Sequence, residues 1–131
     1  MTPNRLTLPV ALAATVALAF SASSFAQTAP AAPRADVTVT IDSEGTDIFG
    51  TLKSPKRVCK ANREVRLMKV IGSRGGGDDS HFANDTTDLQ GGVWRWATGQ
   101  LGTEGRFYAK VKRTADCKAD DSRTIRVRRE N

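Results

Sequence analysis

The stretch that decides the fold is DVTVTIDSEGTDIFGTLKS, residues 36–54. It contains two short runs in which apolar residues alternate with other residues, and a segment rich in Ser, Gly and Asp separates the runs. Val37, Val39 and Ile41 share one parity in the first run, and Ile48 and Leu52 share one parity in the second. Because successive side chains of a β-strand point to opposite faces, each run predicts a strand with one apolar face.

The same alternation recurs along the chain. Four more strands are predicted within residues 63–71, 92–98, 105–113 and 122–130, and a further one around residues 84–87. Clusters of Gly, Asp and Ser separate these segments and are typical of turns. Strands with one apolar and one polar face favour antiparallel sheets packed on a single core, so we expect an all-β, antiparallel β-sandwich of about seven strands with one disulfide.

The N-terminus has the pattern of an export signal. Arg5 precedes the apolar run LTLPVALAATVALAF (6–20), and SASSFA (21–26) then supplies small residues for cleavage after Ala26. The apolar run is short for a membrane span, although a retained membrane anchor is the alternative. We therefore predict a signal peptide at 1–26, a disordered Pro/Ala-rich tether at 27–35, a folded domain at 36–131 and a secreted or periplasmic location. No transmembrane segment is predicted in the mature chain.

The chain has two cysteines, Cys59 and Cys117. In an oxidising compartment a single pair is most simply a disulfide, which would stabilise a small domain by about 4 kcal/mol when it closes a long loop. Both cysteines flank predicted strands and are not embedded in apolar alternation, so we expect a clamp between loops and not a bond through the core. A reactive thiol is the alternative, but it would need an activating base, and the only histidine, His81, falls in a glycine-rich segment.

Three segments together resemble a known family. DIFGTLKSPKRVCKANREVRLMKVIG (47–72), NDTTDLQGGVWRW (84–96) and GRFYAKVKRTADCKADDSRTIRVR (105–128) are similar in order and pattern to the transthyretin-like and carboxypeptidase-regulatory-like modules of secreted bacterial proteins. The resemblance covers residues 37–128. It implies a prealbumin-like or immunoglobulin-like sandwich with a binding or accessory role, without catalytic residues or a cofactor. The doubled glycine at 91–92 departs from the family pattern and leaves the register of that hairpin open.

The segment GGGDDSHFANDTTD (75–88) is rich in residues that can bind metals. The candidate ligands are Asp78, Asp79, His81, Asp85 and Asp88. Their spacing does not match a calcium-binding loop, and one histidine is few for a zinc site. We interpret the segment as turn chemistry, with His81 in an exposed loop, a turn capped by Asp88 and a return at Gly91–Gly92. The alternative is a small extracytoplasmic metal-dependent enzyme or cation-binding protein that uses residues 78–88.

Both tryptophans, Trp94 and Trp96, have the same parity in one predicted strand. At least one of them is expected in the core, because the chain has few other aromatic residues to fill it. If their side of the strand is in contact with solvent, the pair would instead form a platform for stacking sugar rings or proline.

The chain carries a net charge of +6, and its basic residues are clustered. The candidate patch for an anionic partner comprises Lys53, Lys56, Arg57, Lys60, Arg63, Arg66, Lys110, Lys112, Arg126 and Arg128. Solvated strand faces explain many of these residues; the functional interpretation is contact with an anionic envelope polysaccharide, lipid head groups or another secreted protein. Nucleic acid is not an expected partner, because export is predicted and no recognition motif is present.

Overall fold

The computed structural model describes residues 32–130, which form an all-β structure with one short 3-10 helix, Arg57–Cys59. The predicted signal peptide and residues 27–31 of the predicted tether lie outside the described residues. The described strands are β1 (Thr38–Val39), β2 (Asp42–Glu44), β3 (Asp47–Lys53), β4 (Glu64–Lys69), β5 (Ser80–Thr86), β6 (Asp88–Gln90), β7 (Val93–Gln100), β8 (Gly105–Val111), β9 (Asp120–Asp121) and β10 (Ile125–Val127).

The strands form two antiparallel sheets, which confirms the predicted β-sandwich. Sheet I has the order β1–β3–β7–β6, with β2 also paired to β3, and sheet II has the order β10–β8–β4–β5, with β9 also paired to β8. β1 and β2 pair with different parts of β3 on the same edge, so they divide one predicted strand into two. β9 and β10 share one edge of β8 in the same way. The division into β1 and β2 adds one strand to the predicted number, and β6 and β9 are two further short strands that lie outside the predicted segments.

The apolar side chains of the alternating segments fill the space between the two sheets. The predicted inward residues that are buried in one apolar cluster are Val37, Val39, Ile41, Ile48, Leu52, Val65, Leu67, Phe107, Ala109, Val111, Ile125 and Val127. Tyr108 is buried as well, although its parity places it on the outer face of sheet II. The loop between β4 and β5 covers that part of the outer face.

The strand predicted around residues 84–87 is β5, which begins four residues earlier, at Ser80. His81 therefore lies in a strand, exposed to solvent, and the prediction that it lies in a loop is wrong. Leu67 pairs with Ala83 whereas Met68 pairs with His81, so Phe82 is an extra residue in β5. Such a β-bulge interrupts period-two alternation, which is why the sequence pattern did not reveal the first half of β5.

Strands β6 and β7 form a hairpin with the two-residue turn Gly91–Gly92. Both glycines have positive φ, 57° and 76°, as the favoured two-residue hairpin turns require. The turn prediction for these glycines is confirmed, and the register, with Leu89 opposite Trp94, is now defined. Asp88 is the first residue of β6, opposite Arg95, so the prediction that it caps a turn is wrong.

Cys59 and Cys117 form the predicted disulfide, with a sequence separation of 58 residues. Cys59 ends the 3-10 helix and Cys117 lies in the loop between β8 and β9, so the bond joins two loops, as expected. Both cysteines are fully buried in the core cluster, however, so the prediction that the bond lies outside the core is wrong. The backbone of Ala35 pairs with that of Cys117, and Ala35 is buried, so the packed structure includes this residue of the predicted tether.

Within residues 32–130, no helix has the length and apolar composition that a membrane span requires.

Candidate functional site

The two tryptophans of β7 have different environments although they share a parity. Trp96 is buried between the sheets, and its indole Nε1 donates a hydrogen bond of 3.1 Å to the carbonyl oxygen of Thr40. Trp94 lies next to the Gly91–Gly92 turn and is half-buried. The expectation of one core tryptophan is therefore confirmed for Trp96, while Trp94 remains accessible to a partner.

Trp94 lies beside a group of cations. The guanidinium of Arg57 is 5.6 Å from the centre of the Trp94 ring, within the range of a cation–π interaction. Trp94 also lines a surface hollow of about 150 Å³ together with Lys53 and Lys60. We call Trp94, Lys53, Arg57 and Lys60 the Trp94 platform.

Lys53 ends β3, and the chain between β3 and β4 carries the other two cations of the platform, Arg57 and Lys60. Several contacts hold this segment in place. The hydroxyl of Ser54 donates to the carbonyl oxygen of Asp36 at 2.7 Å. The 3-10 helix ends at Cys59, which the disulfide anchors in the core. Thr87, a buried polar residue, accepts a hydrogen bond from the backbone N–H of Arg63 at 2.9 Å and donates to the carbonyl oxygen of Lys60 at 2.7 Å. The segment is therefore fixed at both ends.

The positive charge of the platform has no carboxylate partner among the described residues. The one ion pair within residues 32–130 joins Lys118 to Asp36. Lys53 and Arg57 are exposed, and Lys60 is half-buried. The arrangement can therefore attract an anion and also offer it an aromatic ring as a contact surface.

The predicted basic patch divides into separate groups. Lys56 is exposed and adjoins the platform in sequence, whereas Arg63 has a structural role. The Arg63 guanidinium donates to the carbonyl oxygens of Cys59 at 3.0 Å and Lys112 at 2.8 Å, and partial burial lowers its pKa. Lys112 itself is exposed just beyond the end of β8.

The remaining members of the patch belong to sheet II and do not flank Trp94. Arg66 on β4 pairs in register with Lys110 on β8, and Arg126 on β10 pairs with Arg106. The last strand, β10, therefore lies beside β8, the strand that carries Lys110. Arg128 follows β10 and is exposed. Arg66 donates a hydrogen bond of 2.9 Å to Nδ1 of His81, since a guanidinium has no acceptor.

Asp79 and Tyr108 form a contact that the sequence did not reveal. Asp79 accepts hydrogen bonds from the backbone N–H of Gly75 at 2.9 Å, from the Tyr108 hydroxyl at 2.8 Å and from the N–H of Ile71 at 3.4 Å. These bonds, that of Gly75 first, hold the pKa of Asp79 below its usual range. Burial, and then the bond to Asp79, raise the pKa of Tyr108 to about 12.

Arg74 completes the cover over Tyr108. Its guanidinium lies 4.1 Å from the centre of the Tyr108 ring and donates to the carbonyl oxygen of Ser122 at 2.7 Å and to the hydroxyl of Thr124 at 2.9 Å. We call residues 71–79 the Tyr108 strap. The three consecutive glycines and the two aspartates of this segment were the available sequence signal, but they did not indicate which side chain the segment covers.

The five candidate metal ligands make contacts in different parts of the structure. Asp78 is exposed, Asp79 bonds within the strap, and His81 contacts Arg66. Asp85 accepts a hydrogen bond of 2.8 Å from the backbone N–H of Ala97, on the other sheet. Asp85 and Asp88 do line one surface hollow, of about 480 Å³. Among residues 32–130, no group of three or more His, Cys, Asp or Glu side chains is arranged to hold a metal ion.

Comparison of the chain with protein-family models, with curated proteins and with solved structures finds no match.

Proposed function

We propose that this protein is an extracytoplasmic, non-catalytic β-sandwich that binds an anionic partner through the Trp94 platform. The observation that carries the proposal is the position of a half-buried tryptophan beneath Arg57 and beside Lys53 and Lys60, in a group of cations without carboxylate partners among the described residues. Cations attract the partner, and an aromatic face adds contact area that a plain basic patch lacks. Acidic envelope polysaccharide, anionic lipid head groups and an acidic secreted protein all have the required charge.

The location and the family are part of the same proposal. A buried disulfide persists in oxidising compartments, which supports export and agrees with the predicted signal peptide. A two-sheet sandwich with one disulfide is also the architecture implied by the resemblance to transthyretin-like and carboxypeptidase-regulatory-like modules. In that family the module has an accessory or binding role, which agrees with a platform on the surface rather than a buried reaction centre.

The first test is retention on two anionic surfaces. The protein is expressed from the full sequence and collected after export and removal of the predicted signal peptide, and it is applied to immobilised polygalacturonate and to vesicles that contain phosphatidylglycerol. We expect binding to at least one of them, and we expect added salt to weaken it because the charges of the platform are open to screening. If neither surface retains the protein, or if salt has no effect on retention, the proposal is wrong.

Matched variants locate the site. Lys53→Gln combined with Lys60→Gln removes two charges from the platform, and Arg126→Gln combined with Arg128→Gln removes two charges from sheet II. Each basic residue near an anionic surface contributes about fivefold in affinity, so the platform pair should weaken binding by roughly 25-fold. The sheet II pair should change it much less. Equal losses would mean that net charge alone, and not the platform, is responsible.

A thermal melt addresses the alternative function. A cation-binding protein or a metal-dependent enzyme should be stabilised by calcium or zinc, since a ligand that binds the native state raises the melting temperature. The alternative would be favoured if His81→Ala or Asp88→Ala removed such stabilisation. We expect no metal-dependent shift, because Asp79, His81 and Asp85 already have partners within the protein.

A further inference from the structure

Exposed apolar side chains adjoin the Trp94 platform. Among the described residues, the large hydrophobic side chains that are exposed are Val58, Ile71 and Leu89. Leu89 is the cross-strand partner of Trp94 and is 53% exposed. Val58 follows Arg57 in the 3-10 helix and is 57% exposed. Leu89 thus adjoins Trp94 across the hairpin and Val58 adjoins Arg57 along the chain, whereas Ile71 belongs to the Tyr108 strap.

Strand geometry places Leu89 and Trp94 on the same side of the β6–β7 hairpin. Residues that are directly opposite in an antiparallel pair have side chains about 5 Å apart, so the two form a continuous apolar surface. Asp88 and Gln90, which flank Leu89 in the chain, have side chains on the other side of β6. The surface that carries Trp94 is therefore apolar at its centre and basic along the border formed by Lys53, Arg57 and Lys60.

This combination distinguishes among the anionic partners. A soluble acidic polysaccharide would use the ring of Trp94 and the cations, but it would leave exposed Leu and Val side chains without a favourable contact. At a lipid surface all three features contribute. Tryptophan favours the interface between water and hydrocarbon, aliphatic side chains enter the boundary between head groups and acyl chains, and Lys and Arg attract anionic head groups.

We infer that the Trp94 platform, extended by Leu89 and Val58, docks on the surface of an anionic lipid bilayer. This inference rests on the proposed function, since it names the partner of the same site. The protein would bind peripherally: the apolar side chains enter the interface while the β-sandwich stays in water. Lys53, Arg57 and Lys60 would supply the dependence on anionic lipid, and Leu89 and Val58 would supply the part of the affinity that salt does not remove.

Cosedimentation with vesicles tests the inference. The exported protein, after removal of the predicted signal peptide, is mixed with phosphatidylcholine vesicles with and without phosphatidylglycerol, and we expect strong binding only with the anionic lipid. Leu89→Ser and Val58→Ser should each weaken binding by about fivefold, because each removes apolar area that enters the interface. Ile71→Ser is the matched control; it removes an exposed aliphatic side chain from the strap and should leave binding unchanged.

Tryptophan fluorescence supplies a second measurement that does not depend on the stability of these variants. Brominated lipids quench a fluorophore that enters the bilayer, so we expect quenching of Trp94 in the wild-type protein. In Trp94→Phe only the buried Trp96 remains, and lipid quenching should disappear. Lipid quenching that persists in Trp94→Phe would overturn the inference, because it would show that a different surface or an unfolded state binds.

The remaining outcomes separate the inference from the proposed function. Binding to polygalacturonate without binding to anionic vesicles would overturn the lipid inference and leave the proposed function standing. Binding to neither would overturn both. If Leu89→Ser changed the oligomeric state by light scattering but not vesicle binding, the apolar surface would be a contact between copies of the protein, and the lipid inference would again be wrong.

Discussion

The indole Nε1 of Trp96 reaches across Gly50 to donate a hydrogen bond of 3.1 Å to the carbonyl oxygen of Thr40. Gly50 is the cross-strand partner of Trp96, and it lies on β3 between β7 and the edge that carries Thr40. Because this carbonyl is occupied by the indole, the backbone N–H of Thr51 donates instead to the Thr40 hydroxyl at 2.9 Å. This exchange of partners interrupts the edge strand between β1 and β2.

Gly50→Ala should destabilise the domain strongly. A Cβ at residue 50 would lie 1.9 Å from the carbonyl oxygen of Thr40 and 2.6 Å from Trp96 Nε1, so either the edge strand or the indole must move. We expect a loss in the free energy of unfolding at the upper end of about 1–3 kcal/mol, measured by denaturant titration. Gly99→Ala is the control, since it meets no atom within 4 Å and has only the strain of a φ of +73°. An equal loss in both variants would contradict the clash.

Loss of the disulfide should also be costly. Replacing both Cys59 and Cys117 with alanine removes a cross-link between residues 58 apart, which should lower the free energy of unfolding by about 4 kcal/mol. Reduction of the wild-type protein should give a similar loss without a change of sequence. Labelling of the unfolded, non-reduced protein should detect no free thiol. Two labelled cysteines for each chain would contradict the cross-link.

Thr87→Val should reveal a buried polar contact that anchors the segment before β4. The Thr87 hydroxyl accepts a hydrogen bond from the N–H of Arg63 and donates one to the carbonyl oxygen of Lys60. Valine at this buried position would remove both hydrogen bonds. We expect a loss of about 1–3 kcal/mol in thermal or denaturant unfolding. The same substitution at the neighbouring, exposed Thr86 should have little effect. A neutral Thr87→Val would mean that water replaces the hydroxyl at this position.

Tyr108 should ionise far above the ordinary tyrosine range. Burial and the bond to Asp79 raise its pKa in the folded protein to about 12. Since the folded value exceeds the unfolded one, the contribution to stability is complete below about pH 10 and is lost as the pH rises toward the folded value. It is the only tyrosine in the chain, so the ultraviolet absorbance of the phenolate reports it alone.

Asp79→Asn should lower the midpoint of this titration but not return it to the ordinary value, because burial is the larger cause. Asp78→Asn makes the same change in net charge at a neighbouring exposed residue and should leave the midpoint in place. If the two variants moved it equally, the effect would come from general electrostatics and not from the contact between Asp79 and Tyr108.

Several features followed from the sequence because they depend on local order alone. Alternation around Val37, Ile48, Val65 and Phe107 identified the inward faces, since strand geometry assigns a face to every second residue. Because the chain has two cysteines, one pairing within the chain was possible. Gly91–Gly92 identified a tight turn because two consecutive positive φ values suit glycine. The predicted signal peptide lies outside the described residues and stays a prediction.

Only the tertiary structure decided which side chains remain accessible. Trp94 and Trp96 have the same parity, but Trp96 is enclosed between the sheets and Trp94 lies at the hairpin turn beneath Arg57. Likewise, Arg57 and Lys60 lie at the platform whereas Arg66 lies on sheet II. Tyr108 is covered by a strap that begins far from it in sequence. Parity determines the face on which a side chain lies. Whether that face is covered depends on contacts between residues distant in sequence, which no local pattern encodes.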